Sequence, residues 1–320
     1  MKIFSGMPCK RNIYKDKSIY SSQKSIRKLA ITFLVGNFFL CSCSVLSIDS
    51  KDKIKEKLPP KKEYSNLFFK TISKRIKSIP NRNEKIKYRI LKEYGSLWVN
   101  NDTEVILPPS VTFSSAKETN NFHKRLSLVK VAGTECLLQE SAAKSLEQAI
   151  EEAKSQGLNI SPRGDDSCIR SYKKTHELWL SRVLPNLDFY LSKKKLTPAE
   201  VEKVKQADMW DQVKLVLSIE NEKGLLFDKY RQTSILNSVA APGTSQHLSG
   251  LAFDMAQFSD PQVRKIINKY GWYQTIENDL PHFTYLGKVP NQKFLKNNGL
   301  KKVSKSGYDF WVPDFENKQT

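Results

Sequence analysis

Ser245-Gln246-His247-Leu248-Ser249-Gly250-Leu251-Ala252-Phe253-Asp254 reads S-x-H-x-x-G-x-A-x-D. Its histidine and aspartate lie seven residues apart, and Gly250 permits a tight turn between them. A loop can then deliver His247, and a following strand Asp254, to one point. A second stretch, Asp279-Leu280-Pro281-His282-Phe283, adds an imidazole 28 residues after Asp254. Two imidazoles and a carboxylate suit a catalytic zinc ion (Zn2+) with an open fourth position. Asp279 precedes His282 by three residues, and Pro281 stiffens the connection. Such a turn sets a further carboxylate beside the metal without making it a ligand, as a general base requires. Glu277 is a rival for that role. His123 and His176 fall outside the pattern and read as surface or core residues.

The flanking sequence predicts an α+β domain over 126–290. Leu128–Val131 is strand-like, and Ala142, Leu146, Ala149, Ile150 and Ala153 recur at helical spacing before Gly157, a C-cap. Leu158–Ile160 reads as a short strand and Tyr172–Leu184 as a helix. Thr197-Pro198-Ala199-Glu200 is a capping box with proline at the first helical position. A helical insertion over about 185–225 therefore precedes the metal motif. Strands are expected over Leu251–Ala256 and Phe283–Leu286, with a helix from Pro261 to Tyr270 between them. Residues 63–125 are a basic accessory region, either a small domain of its own or an arm packed on the main one. Leu67, Phe68, Ile72, Ile76 and Ile79 fit one helical face there, and Ile86, Ile90 and Leu91 suggest a second helix stopped by Gly95. Residues 291–320 are left as a C-terminal tail.

The chain carries 53 Lys/Arg against 33 Asp/Glu, a net +20. Residues 1–42 hold eight of those cations and one acid, followed by the short apolar run Leu29–Leu40. A basic stretch before an apolar run too short for a comfortable membrane span is the pattern of an export signal. Leu40-Cys41-Ser42-Cys43 follows at once and resembles a bacterial lipobox, which implies cleavage after residue 42 and lipidation of Cys43. An uncleaved anchor is the other reading, and both place the remainder outside the cytoplasm in the cell envelope, on a membrane. Residues 43–62 are a polar, lysine-rich tether ending in Pro59-Pro60. The remaining charge suits an anionic cell-wall polymer. The lysines are scattered rather than interleaved with aromatics, so no nucleic-acid face is indicated. Cys136 and Cys168 are left after Cys43 is lipidated; pairing suits an exported chain, although spacing alone does not decide it.

The chain resembles the zinc D-alanyl-D-alanine carboxypeptidases and dipeptidases of VanY and VanX type, together with the related L-alanyl-D-glutamate endopeptidases of phage lysins. The metal motif carries most of this resemblance. Ala240–His247 looks like that family's approach to the metal loop, and Ser167-Cys168-Ile169-Arg170-Ser171-Tyr172 is similar to its S-G-Y-R-S-Y segment. The resemblance covers roughly 126–290. It implies a small antiparallel sheet with flanking helices, the zinc fold shared by Hedgehog and D-Ala-D-Ala peptidase domains. It also implies that His247, Asp254 and His282 are zinc ligands and that Asp279 is the catalytic base. Arg170 then binds and polarises the scissile carbonyl or its oxyanion, and Ser245 lies near the substrate terminus. The expected substrate is a peptidoglycan stem peptide, with D,D-carboxypeptidase action ahead of L-Ala-D-Glu endopeptidase action. A non-catalytic zinc-containing binding module is a reading of another class, since the fold serves as a signalling domain in Hedgehog proteins.

The chain departs from the family pattern in three places. The VanY-type base is a glutamate in E-x-W-H, whereas D-L-P-H here looks more like the lysin branch. The glutamine expected after S-Y-x-x is Thr175. The insertion at 185–225 is long enough to reshape the substrate cleft.

Overall fold

A three-stranded antiparallel sheet in the order β3-β5-β4 sits at the heart of the fold, with β3 at Ala252–Asp254, β4 at Trp272–Tyr273 and β5 at His282–Tyr285. The computed structural model describes residues 66–289 and 291–316. The export signal, the tether and Cys43 lie outside the described residues. Antiparallel pairing sets Asp254 directly opposite His282, so a register of three residue pairs brings the two halves of the motif together. Residues directly opposite in such a pair have side chains on one face.

Helices flank this sheet. α4 (Glu140–Ser155) buries Ala142, Ala143, Leu146, Ala149 and Ala153 and packs against α8 (Pro261–Lys269). α8 begins at Asp260, whose carboxylate accepts from the Gln262 and Val263 amides, with Pro261 in the first turn. The hairpin of β1 (Leu128–Lys130) and β2 (Leu137–Gln139) leads into α4. Gly157, at φ +73°, lets the chain leave that helix in the left-handed region.

α5 (Tyr172–Ser192) runs eight residues past the expected stop at Leu184. Pro185 removes one backbone bond and disfavours the interior by about 3 kcal/mol. Beyond it, however, Leu187 is fully buried and Tyr190 nearly so, each contributing roughly 1.5–3 kcal/mol. Burial outweighs the proline, and the first part of the 185–225 stretch is therefore a continuation of α5. The rest is α6 (Pro198–Gln206), opened by the Thr197–Glu200 capping box, and α7 (Met209–Lys223). Trp179 of α5 is fully buried and donates its indole N–H to Gln212 of α7 at 2.9 Å.

Residues 158–160 form no strand. The Ser161 amide is taken by the Gln257 side chain at 2.9 Å, and Pro162, which pairs with Met255 in an isolated bridge, has no N–H to continue a ladder. The helix expected over Leu67–Ile79 closes early, as α1 (Leu67–Ile72). The Lys77 amide turns to the Pro109 carbonyl at 2.9 Å, and Pro80 disfavours helix at Ile79.

α2 (Lys85–Tyr94) passes into a 3-10 turn at Gly95–Val99, and α3 (Ala116–His123) follows a loop. Phe68, Ile90, Leu91 and Trp98 of this N-terminal stretch belong to the same buried cluster as Trp272 and Phe283. The stretch is thus an arm packed on the main core. The tail is structured as well: α9 (Gln292–Asn297) precedes a hairpin of β6 (Leu300–Lys305) and β7 (Tyr308–Pro313), which buries Leu295, Leu300 and Trp311 in that core.

Candidate metal centre and active-site cleft

Three ligand atoms meet at the edge of the central sheet. His247 Nε2 lies 3.1 Å from Asp254 Oδ1 and 3.1 Å from His282 Nδ1, and His282 Nδ1 lies 3.3 Å from Asp254 Oδ1. Among the described residues this is the one cluster of His, Cys, Asp or Glu side chains able to hold a metal. A tetrahedral ion with bonds of about 2.0–2.1 Å separates its ligands by about 3.3–3.4 Å. The observed spacings fall just short of that, so the donor set fits a tetrahedral metal with small adjustment.

Local structure explains why these atoms face one another. Gly250 adopts φ +69°, where a side chain is strained and a Cβ would press on Leu128 and Gln139. This turn lets a short 3-10 turn at Gln246–Ser249 carry His247 back over β3. The Asp254 amide donates to the Ser167 carbonyl at 2.8 Å, which ties the strand end to the Arg170 segment.

The imidazole tautomers follow from fixed acceptors. His247 Nδ1 donates to the Cys168 carbonyl at 2.7 Å, so Nε2 offers its lone pair to the metal. Cys168 is itself anchored by a disulfide to Cys136, their Cα atoms 5.4 Å apart. Gln246 Nε2 donates to the Tyr94 carbonyl at 2.8 Å, which orients the amide and turns Oε1 toward His282. His282 Nε2 donates to that oxygen at 2.8 Å, leaving Nδ1 free to ligate. Thr275 and Thr284 also donate to Gln246 Oε1. The N-terminal arm, through Tyr94, thus sets the tautomer of a candidate metal ligand.

Electrostatics favour the ligating forms. Burial pushes His247 down to about 4, against the pull of Asp254, so its imidazole is neutral at neutral pH. Burial opposes the charge of Asp254, but His247 and His282, when either carries a proton toward it, outweigh burial and hold the carboxyl well below the usual carboxylate range.

Asp279 lines the same cleft of about 380 Å³ as the three ligands. Part of its surface still faces the opening, yet the surrounding protein strips enough water to push its carboxyl above the ordinary value, His282 pulling the other way. A carboxylate raised in this manner suits proton transfer. Glu277 is exposed and does not line the cleft, so of the two rivals Asp279 alone faces it. The Ser245 hydroxyl lines the cleft and makes no hydrogen bond to any described residue.

Arg170 has protein partners at the edge of the cleft. Its Nη2 meets Asp254 Oδ2 at 2.5 Å and its Nε donates to the Asp166 carbonyl at 2.6 Å. The guanidinium holds the outer oxygen of a candidate metal ligand, and Nη1 alone is left unengaged by described residues. His123 donates from Nε2 to the Leu248 carbonyl at 2.7 Å, bracing the metal loop. Gln246, Tyr94 and the Cys168 carbonyl were not singled out from sequence; Gln246 alone had a signal, as the neighbour of His247.

No curated protein matches the chain. Among solved structures, a vancomycin-resistance D,D-pentapeptidase VanY point mutant in complex with Zn(II) is 16% identical, with a TM-score of 0.30 over 51% of this chain and 79% of that one. VanYB in complex with D-alanine-D-alanine is 15% identical (TM-score 0.31, 51% and 78%). The LdcB LD-carboxypeptidase is 18% identical (TM-score 0.28, 52% and 66%). The family model VanY, described as D-alanyl-D-alanine carboxypeptidase, matches residues 135–301, which include the three candidate ligands, Asp279 and Arg170. The chain belongs to the VanY family of peptidases.

Proposed function

We propose that this protein is a zinc-dependent D-alanyl-D-alanine carboxypeptidase that trims peptidoglycan stem peptides. The observation that carries the reading is the near-tetrahedral spacing of His247 Nε2, Asp254 Oδ1 and His282 Nδ1 on one cleft with Asp279. Zinc bound there supplies a Lewis acid that polarises a carbonyl and acidifies water. Asp279 accepts a proton from the attacking water and returns it to the leaving amine. Arg170 keeps Asp254 oriented and offers Nη1 to the developing oxyanion. The Ser245 hydroxyl donates to the substrate's C-terminal carboxylate. No described helix is long and apolar enough to cross a membrane. The reading places the protein in the cell envelope, lipidated at Cys43 and tethered by 43–62; the Cys136–Cys168 disulfide supports an oxidising compartment.

Asp279-Leu280-Pro281-His282 favours one alternative, an L-alanyl-D-glutamate endopeptidase. A carboxypeptidase must bind a free C-terminus. Amidating the terminal carboxylate of a pentapeptide ending in D-Ala-D-Ala is expected to abolish cleavage. Undiminished cleavage of the amide, with products from the L-alanine side, would transfer the assignment to the endopeptidase.

A further inference from the structure

The cleft continues beyond the metal ligands along α5. Thr175, Leu178 and Arg182 recur at i, i+3 and i+7, one face of that helix, and all three line it. Thr175 stands where a glutamine was expected, and its hydroxyl is turned back onto the Tyr172 carbonyl at 2.7 Å. Two turns on, Arg182 is half-buried. Its Nε donates to Ser238 Oγ at 3.0 Å and its Nη1 to Ser181 Oγ at 2.9 Å. Nη2 is engaged by no described residue, and among the described residues no carboxylate pairs with this guanidinium. Arg170, in the same cleft, is held by Asp254 and Asp166.

The loop that grips Arg182 is built to be rigid. The buried Glu220 carboxylate accepts from the amides of Phe227 at 3.0 Å and Ile235 at 2.7 Å and from the Ser234 hydroxyl at 2.6 Å. Asp228 accepts from the amides of Tyr230, Gln232 and Thr233. Ser238 therefore fixes a guanidinium whose remaining donors match a carboxylate and whose counter-charge the protein does not supply.

We propose that Arg182 is a specificity-determining residue that binds a second substrate carboxylate, on the acyl side of the scissile bond and separate from the C-terminal one. The proposal rests on the peptidase reading above. α5 starts at Tyr172, two residues after the arginine that holds Asp254. Arg182 lies ten residues into the helix, roughly 15 Å of axial rise. Allowing for the reach of the arginine, that corresponds to about three or four residues of extended peptide. In a stem pentapeptide the free carboxylate of the D-glutamyl residue, third from the bond on the acyl side, falls in this range.

The test uses two zinc-loaded pentapeptidase assays that differ only in whether that D-glutamyl carboxylate is free or amidated, the C-terminus being free in both. Wild type, Arg182→Gln and Arg182→Lys are compared by kcat/KM for D-alanine release. Binding of the same peptides is measured by fluorescence anisotropy in an Asp279→Asn background. The wild type is expected to favour the free acid by about tenfold or more, the effect of a charge-assisted pair. Arg182→Gln is expected to erase that preference by weakening the acid peptide alone, and Arg182→Lys to keep part of it. Equal handling of acid and amide by the wild type, or an equal loss on both peptides in Arg182→Gln, would overturn the proposal. Absence of turnover on both peptides would count against the peptidase reading, and the binding comparison would still decide the role of Arg182.

Discussion

Gln246→Leu isolates the contribution of an outer residue to the metal centre. Gln246 is 2% exposed, and its Oε1 accepts from His282 Nε2 at 2.8 Å while its Nε2 donates to the Tyr94 carbonyl at 2.8 Å. Leucine is similar in size but removes both functions. Of the Thr275 and Thr284 hydroxyls, 2.6 Å apart, one can still donate to the other. The Tyr94 carbonyl loses its partner, and the His282 N–H keeps only a stretched contact of 3.4 Å to Thr284 Oγ1. At about 1–3 kcal/mol each, the metal-free protein is expected to lose about 2–6 kcal/mol of stability. Loss of the histidine's partner is expected to weaken zinc about 10–100-fold, or about 1.4–2.7 kcal/mol. Competition with a chromophoric chelator measures the affinity, and urea unfolding of the metal-stripped protein measures the stability. Gln246→Glu separates the two effects, because it keeps an acceptor for His282 but loses the donor to Tyr94. It is expected to destabilise the fold while binding zinc within a fewfold of wild type. Zinc affinity within twofold of wild type in Gln246→Leu would refute the argument that Gln246 sets the His282 tautomer.

Other consequences can be measured independently. Asp279→Asn is expected to lower kcat by about 10²–10⁴ while zinc content, read by atomic absorption, stays stoichiometric. The metal-stripped protein is expected to show a pH dependence from His247. Its imidazole, at about 4 when folded and about 6.5 when unfolded, binds more protons in the unfolded state between those values. The stabilisation is complete above pH 6.5 and is lost as pH falls toward 4, by about 3 kcal/mol at most. His247→Asn should flatten that part of a stability–pH curve, and an unchanged slope would contradict the assignment. Cys136→Ser with Cys168→Ser opens a loop spanning a separation of 32 residues, worth about 3–4 kcal/mol on the chain-entropy account. A weakened zinc site should accompany it, since Cys168 supplies the acceptor for His247.

Much of the metal site was legible in sequence because its parts are local. The seven-residue spacing and Gly250 place His247 and Asp254, and Asp279-Leu-Pro-His282 forms a single turn into β5. Strand pairing then needed only the alternation of two short apolar runs. The parts that were not legible depend on distant contacts. Tyr94 reaches Gln246 across 152 residues, and nothing in α2 marks it as a support of the site. Arg170 reads from sequence as a group for the substrate carbonyl; its contact with Asp254 Oδ2, 84 residues away, is set by the fold and carries no local signal. The extension of α5 through Pro185 has no local signal, because it depends on the burial of Leu187 and Tyr190. The strand expected at 158–160 failed for the converse reason: its apolar residues were suitable, yet a side chain and a proline occupied its ladder positions.

If His247, Asp254 and His282 hold zinc and Asp279 serves as base, the protein is specific for a D-alanyl-D-alanine terminus. Mass spectrometry of a stem pentapeptide incubated with the zinc-loaded protein, beside the chelator-stripped protein, tests it most directly. Loss of one terminal D-alanine is expected with zinc, and an intact peptide without it. An intact pentapeptide in the presence of stoichiometric bound zinc would contradict that expectation.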